Sequence, residues 1–290
     1  LISQMSIFVD DGCRTPLFTK GHGTQRAFIF SILLLYAKKL NSRLAERNKR
    51  DKKDIIIAIE EPEIYLHPHQ QRIIYNLFKK LVSSSVEQIQ IIYSTHSSFM
   101  INIEDYKYLG LVRKKSIEEG TKIVQCVGDV FGSDNLGRKD EEEFKMICQF
   151  DPERNEMFFA RKIIFVEGDT EKISLPLLLD KLGVDVIERS ISIIECGGKK
   201  GIELFINVLN KFNERQKLLD YVVMYDKDIP WKNENDPQKS EKEKQAKREN
   251  NEIEELCNNS KTPFYVFEPD FERELKLKIS DKNKPYKAKK

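Results

Sequence analysis

The chain has 290 residues, room for about two domains at roughly 100–200 residues each. Hydrophobic residues make up 40% and charged residues 33%, a balance that fits a soluble globular protein with a core. A net charge of +2 provides no global field for nucleic acid, so any such binding has to come from local patches.

The chain begins at Leu1, in mid-element and without a methionine, and is expected to be a piece of something longer. "TKGHGTQRAFIF" places Gly21 and Gly23 before a helix expected near Gln25–Arg47. Exposed backbone amides at that helix start would make an anion site. The longest apolar run, Ala27 to Ala37, lies in the same helix, broken only by Ser31. It is well short of the ~20 residues needed to cross a bilayer, so a buried core helix is expected and no membrane partner.

A strand at Ile55–Ile59, a helix near Gln70–Val82 and a strand at Ile89–Tyr93 follow, the order of a parallel α/β layer. The first strand, expected to be buried, delivers Glu60 and Glu61 to its C-terminal end, where such sheets bind ligands. There one carboxylate can hold Mg²⁺ and its neighbour can polarise an attacking water. The second strand ends in Ser94, Thr95 and His96, and a neutral imidazole there can bond a γ-phosphate or orient the water. Taken singly, His96 reads more readily as structural and the paired glutamates equally well as a solvated strand end. Their order and spacing in one stretch favour nucleotide chemistry. The phosphate-cradling G-x-x-x-x-G-K-[ST] loop occurs nowhere in the chain, and is expected upstream.

A looser stretch with Gly110, Gly120, Gly128, Gly132 and Gly137 leads to a domain boundary expected near Asp151, dividing the chain into residues 1–150 and 151–290. The second half repeats the alternation. Strands are expected at Ile163–Val166, Ser190–Ile194 and Tyr221–Tyr225, with helices from about Glu171 and at Ile202–Phe212. A stretch of mixed charge after Trp231 reads as a solvated loop and helix face. A short strand, Phe264–Phe267, precedes a basic tail. Five scattered cysteines, with no CxxC pair, argue against a disulfide framework or a zinc site and fit a reducing cytoplasm.

"VEGDTEK" crowds Glu167, Asp169 and Glu171 where a strand turns into a helix. A helix start explains Asp169 or Thr170 as caps and Glu171 as a partner of the dipole, but leaves Glu167 unexplained. About sixty residues on, "YVVMYDKDIP" ends another strand in Asp226 and Asp228, which alternation would set on one face. If the two strands are neighbours, Glu167 and both aspartates converge at one sheet edge. Oxygen ligands without cysteine or histidine favour Mg²⁺ or Mn²⁺. "ECGGKKG" is a turn between strand and helix, either only that or a place where its amides, Lys199 and Lys200 meet a phosphate.

These motifs carry a resemblance. "GHGTQR", "IIIAIEEP", "EIYLHP" and "STHSSF" resemble the signature, Walker B with catalytic glutamate, D-loop and switch histidine of an ABC-type ATPase head, as in the overcoming-lysogenization-defect (OLD) nucleases and their RecF/SMC-like relatives. Glu60 stands where many ABC proteins have aspartate. The resemblance implies that Gly21, Gly23, Gln25, Glu60, Glu61 and His96 contact ATP with Mg²⁺ in the complete protein, with Glu61 and His96 catalytic, and that the head forms a homo-oligomer.

From about Arg161 to Phe271 the order of acidic and glycine motifs resembles the Toprim fold, and its fusion behind an ABC head points to the OLD family. The resemblance implies an α/β chain, a partial ATPase domain followed by a Toprim domain. Its function would be a metal-dependent DNA endonuclease using two cations, in anti-phage defence or DNA processing, beside a helicase-like partner. Glu167, Glu171, Asp226 and Asp228 take the family's acidic motifs, and Glu167 and Asp226 are catalytic candidates. Glu268, Asp270 and Glu272 in "FEPDFEREL" would hold a second metal, and Lys284 in the tail is the candidate transition-state lysine. The alternatives are a Toprim topoisomerase or primase, and a RecF/SMC-like DNA-binding ATPase that cuts nothing.

Overall fold

A computed structural model describes residues 6–47, 55–83, 89–114, 116–126, 151–231 and 236–276. The chain divides into two compact units, Leu1–Met100 and Ile101–Lys290.

The first unit opens with a small antiparallel pair, β1 (Phe8–Asp10) and β2 (Arg14–Pro16). Helix α1 follows at His22–Arg47. It starts before the expected Gln25, so Gly23 lies inside its first turn. A side chain there would meet the Tyr65 carbonyl oxygen at 3.0 Å, so glycine lets the helix start come close to this backbone. Strands β3 (Ile55–Glu60) and β4 (Ile89–Ser94) pair in parallel, joined by α2 (Pro68–Val82). Proline suits the first position of α2, where no backbone N–H is needed, and Lys79 and Lys80 sit in its last turn against the negative end of the dipole.

The core of this unit is Phe30, Leu66, Ile74, Phe78 and Met100, with Ile59, Tyr75, Ile91 and Tyr93 packed against it. Two expectations change here. The apolar run of α1 is not buried all round: Phe30 is enclosed, while Ile29, Ile32, Leu35 and Tyr36 are exposed. Likewise β3 is not a fully buried strand, because its residues alternate between half-buried and exposed and Ile56 is 63% exposed. The cause is the same in both. Among the described residues, the hydrophobic packing reaches only one face of each element, and a run of apolar residues does not reveal which faces have neighbours.

In the second unit a hairpin, β5 (Gly110–Lys114) and β6 (Thr121–Gln125), precedes a 3-10 turn at Arg154–Phe158. The main sheet has four parallel strands in the order β10-β9-β7-β8, comprising β7 (Lys162–Val166), β8 (Ile191–Glu195), β9 (Asp220–Asp226) and β10 (Phe264–Phe267). Helices α3 (Asp169–Lys181), α4 (Lys199–Asn213), α5 (Lys239–Ser260) and the short α6 (Phe271–Glu274) complete it.

Strand β7 is central, and Ile163 to Val166 are all buried, as a strand covered on both faces requires. Ile163 and Phe165 enter the larger core with Phe205, Leu209, Val223, Tyr225, Ile253 and Cys257, which brings α4 and α5 to that face. Ile164 and Val166 enter the smaller core with Leu175, Phe267 and Phe271, which brings α3 to the other. Each fully buried aliphatic or aromatic side chain stabilises this arrangement by about 1.5–3 kcal/mol relative to exposure. The charged stretch after Trp231 forms α5, whose Ala246, Asn250, Ile253 and Cys257 are buried.

The boundary expected near Asp151 falls inside the second unit. Leu111 and Val124 of the hairpin belong to the same core as Phe158 and Phe205, which ties the segment after Met100 to the parallel sheet. Cys13 is exposed, and Cys126, Cys196 and Cys257 are buried and free of disulfides.

Candidate metal centre and nucleotide edge

Parallel pairing aligns the ends of β7 and β9, with Val166 opposite Met224, so Glu167 emerges beside the last residues of β9. The Asp226 backbone N–H donates to Glu167 Oε2 at 3.2 Å. On the other side of β9, Phe267 of β10 lies opposite Asp226, and the chain returns so that the Phe271 N–H donates to Asp226 Oδ1 at 2.9 Å. The two strands expected to be neighbours are neighbours, and Glu167 and Asp226 share one edge.

Asp228 arrives by a different route from strand alternation. Strand β9 ends at Asp226, and Asp228 sits beyond it in a left-handed conformation, φ 57°. Its N–H donates to the Pro269 carbonyl at 2.8 Å, and its Oδ2 accepts from Lys199 Nζ at 2.8 Å. Lys199 is the first residue of α4 and its side chain is 3% exposed.

The glycine turn before Lys199 is built for close approach. Gly197 and Gly198 have φ of 72° and 104°, where a side chain is strained. The Gly198 N–H donates to the Glu167 carbonyl at 2.9 Å. A Cβ on Gly201 would lie 1.7 Å from the Cys196 carbonyl oxygen, so only glycine allows α4 to pack there. Lys200 faces elsewhere, pairing with Glu203 and with Glu252 at 2.7 Å.

Electrostatics follow from this geometry. Burial pushes the Glu167 carboxyl up to about 7, against the pull of Lys199 and with the repulsion of Asp228 and Glu171. Burial, then repulsion from Glu171 and Glu167, pushes Asp226 up to about 8. Glu171 is buried at the third position of α3 and accepts the Gly168 N–H at 3.2 Å, so it serves the helix start and also faces the cluster. The cap is Gly168, where Asp169 or Thr170 was expected, because α3 begins at Asp169 itself.

The later acidic motif is arranged differently. Asp270 caps α6, accepting the Arg273 N–H at 2.8 Å and pairing with Arg273 Nε at 2.6 Å. Glu268 pairs with Lys227 at 2.7 Å on the surface, and Glu272 is buried. Lys284 lies outside the described residues. All-oxygen donors with a deep desolvation penalty suit a hard divalent cation. Among the described residues, though, no three His, Cys, Asp or Glu side chains are gathered closely enough to hold an ion as they stand.

In the first unit the ends of β3 and β4 also align, Glu60 opposite Ser94. Glu60 is exposed. Glu61 follows at φ 44°, donates its N–H to the Ser94 carbonyl at 3.1 Å, and lies with Oε1 3.4 Å from His96 Nε2. Arg26 bonds the Glu61 carbonyl at 2.9 Å, while Gln25 bonds the carbonyls of Phe18 and Lys20, and Gly21 precedes the helix. The structure therefore brings Glu61 and His96 together. It also shows one residue absent from the expected site and one expected there only as a possible phosphate contact. Glu63 Oε1 accepts the Thr95 hydroxyl and the His96 N–H, both at 2.7 Å, tying the histidine loop to the loop after β3. Lys199 is the other. The signal for it was a lysine opening a helix straight after a glycine turn, at the same end of the sheet as the acidic motifs.

Residues 2–101 match the AAA ATPase domain family, and residues 158–228 match the TOPRIM domain of overcoming lysogenization defect protein-like proteins. An OLD nuclease of Thermus scotoductus is 33% identical over 236 residues, covering 80% of this chain and 42% of that protein. The Old nuclease of Escherichia phage P2 is 27% identical, covering 69% and 32%, and endonuclease GajA of Bacillus cereus is 28% identical, covering 46% and 21%. The chain thus spans less than half the length of each of these relatives. The C-terminal region of the Burkholderia pseudomallei OLD protein aligns over 45% of this chain and 72% of that one, at 21% identity and a TM-score of 0.28. An ATPase-domain segment is thus followed in the same chain by an OLD-like TOPRIM domain, and the chain is similar to an OLD nuclease over most of its own length.

Proposed function

We propose that the chain forms part of a metal-dependent DNA endonuclease whose cutting is coupled to an ATPase domain. The observation that carries this reading is the pair of half-buried carboxylates, Glu167 and Asp226, held at the ends of adjacent parallel strands. Holding two partly desolvated acids side by side costs stability unless a cation is their working partner. The names of the relatives, two OLD nucleases and an endonuclease, support nucleic-acid cleavage.

Glu167 and Asp226, with Asp228, would hold Mg²⁺ or Mn²⁺, and Glu171 would add negative charge behind them. A bound pair of such ions would supply an activated water and charge to offset the leaving 3′-oxygen of a phosphodiester. The protein's own contribution is rigidity. The Asp226 and Phe271 amides fix the carboxylates, and the close approach of α4 shapes the edge on which a phosphate would lie. Glu268, Asp270 and Glu272 are further candidate ligands for a second ion, and the tail, with Lys284, is a candidate source of a transition-state cation. At the other edge, Glu61 and His96 would polarise and orient water at the γ-phosphate of ATP, with Gly21, Gly23 and Gln25 facing a nucleotide and Glu60 its Mg²⁺. That site would be completed in a homo-oligomer. A role in defence against phage, beside a helicase-like partner, follows from the family resemblance.

Plasmid cleavage by the full-length protein with Mg²⁺, Mn²⁺ or chelator tests the reading. Nicked or linear DNA that depends on the cation and on Asp226 supports it. Relaxed, religated circles mean a topoisomerase, and unchanged plasmid under every condition overturns cleavage altogether.

A further inference from the structure

We propose that Lys199 is the resident counter-ion of the carboxylate edge and competes with the divalent cation for Asp228. The inference deepens the metal-dependent reading above and rests on it.

The position of Lys199 is costly on two counts. Its side chain is 3% exposed, and an ammonium group loses hydration in such a place. It also occupies the first residue of α4, where the helix dipole favours negative charge, and the first turn holds no acidic residue to offset it. Its neighbour Lys200 shows the ordinary alternative, 64% exposed and paired with surface glutamates. Lys199 stays inside because of what faces it. Asp228 Oδ2 lies 2.8 Å from its Nζ, the Tyr225 ring lies 6.0 Å beneath, and its charge opposes the burial of Glu167.

Asp228 is therefore committed to an ammonium group in the structure. It is held on a left-handed turn, fixed by its own N–H to Pro269, so its backbone leaves a short reach between Lys199 and the edge carboxylates. This explains why the acidic residues share an edge and yet no three of them gather around one point among the described residues. Loading a divalent cation between Glu167 and Asp226 draws Asp228 inward and repels Lys199. A divalent cation and an ammonium held on one carboxylate repel each other, and partial desolvation of the edge strengthens that repulsion. Lys199 is thus released when the metal arrives, and closes back on Asp228 when the metal leaves. The cluster stays partly neutralised in both states. It also sets a threshold for the cation, since the metal must displace a built-in competitor.

Mn²⁺ titration of the full-length protein by calorimetry tests this, comparing the parent with Lys199→Met. Loss of the competitor should tighten Mn²⁺ binding roughly tenfold or more, while metal-free Lys199→Met melts at a lower temperature. A lysine that merely packs, or that orients Asp228 as a ligand, predicts equal or weaker Mn²⁺ binding in the variant, and either result overturns the proposal. Acetic-anhydride footprinting of the parent covers the case in which the variant does not fold. Lys199 should resist acetylation without metal and react at saturating Mn²⁺. Protection that is unchanged or increased by Mn²⁺ overturns the exchange. Failure of the parent to bind Mn²⁺ at all removes the metal-centre reading itself, a result distinct from parent and variant binding alike.

Discussion

Asp226→Asn should stabilise the metal-free protein at alkaline pH, although it removes a residue proposed for catalysis. The substitution is nearly isosteric and leaves an oxygen to accept the Phe271 N–H, now at 2.9 Å from Oδ1. What it deletes is charge. Burial and the carboxylates of Glu171 and Glu167 push Asp226 up to about 8, from an ordinary 3.8. Between these two values the folded protein holds a proton that the unfolded chain has released, so stability falls as pH rises through the window. At about 1.4 kcal/mol per pH unit, four units set a ceiling of roughly 6 kcal/mol. Partial relaxation of the three acids toward solvent and Lys199 reduces this, and about 2–3 kcal/mol is the expected gain for the variant above pH 8. Below about pH 4 both states of the parent are protonated and the gain should vanish. Urea denaturation from pH 4 to 9 with chelator present measures it. Saturating Mn²⁺ should then reverse the order, because only the parent has the full ligand set to bind it. A variant no more stable than its parent at pH 9 without metal would refute the account of Asp226 as a partly desolvated anion crowded by other carboxylates.

Asp228→Ala should act oppositely to Asp226→Asn, lowering stability by about 3 kcal/mol in urea denaturation because it strands the ammonium of Lys199, 3% exposed, without its partner. Gly201→Ala should cost at least about 3 kcal/mol, since its Cβ would lie 1.7 Å from the Cys196 carbonyl and backbone must move; a melt within a degree or two of the parent would contradict this packing. Glu61→Ala, whose carboxylate lies 3.4 Å from His96, should abolish ATP turnover by the complete protein while leaving calorimetric Mn²⁺ binding at the Toprim edge unchanged.

The elements that were legible in the sequence are those whose chemistry is local. Ile163–Val166 followed by Glu167 announces a buried strand with an acidic end, and the parallel order of β7 and β9 follows from helices placed between strands. The hairpin β5–β6 was not legible. Its strands are short and carry Arg113, Lys114 and Lys122, and Gly110 at its start and Gly120 in its turn read as a loose loop. Only the core it joins, through Leu111 and Val124, makes it part of the second unit, and that is a long-range fact. The bare faces of α1 and β3 escaped for the same reason: hydrophobicity says a face prefers cover, not that cover is present.

The centre itself divides along this line. Strand ends concentrate chemistry, so Glu167 and Asp226 could be named from their positions after apolar runs. The ion pair that faces them could not: Lys199 reads in the sequence only as a possible phosphate contact, because it meets Asp228 through a turn and a helix start, not through periodicity. What brings them together is a chain of backbone requirements. Gly201 carries no side chain, so α4 can press onto the Cys196 carbonyl. Gly198 adopts a φ that turns its N–H onto the Glu167 carbonyl. Those two constraints aim the first residue of α4 at the acidic edge. The glycines in "ECGGKKG" thus set the ammonium of Lys199 against the acidic edge, and in the exchange proposed above that charge is what a metal has to displace.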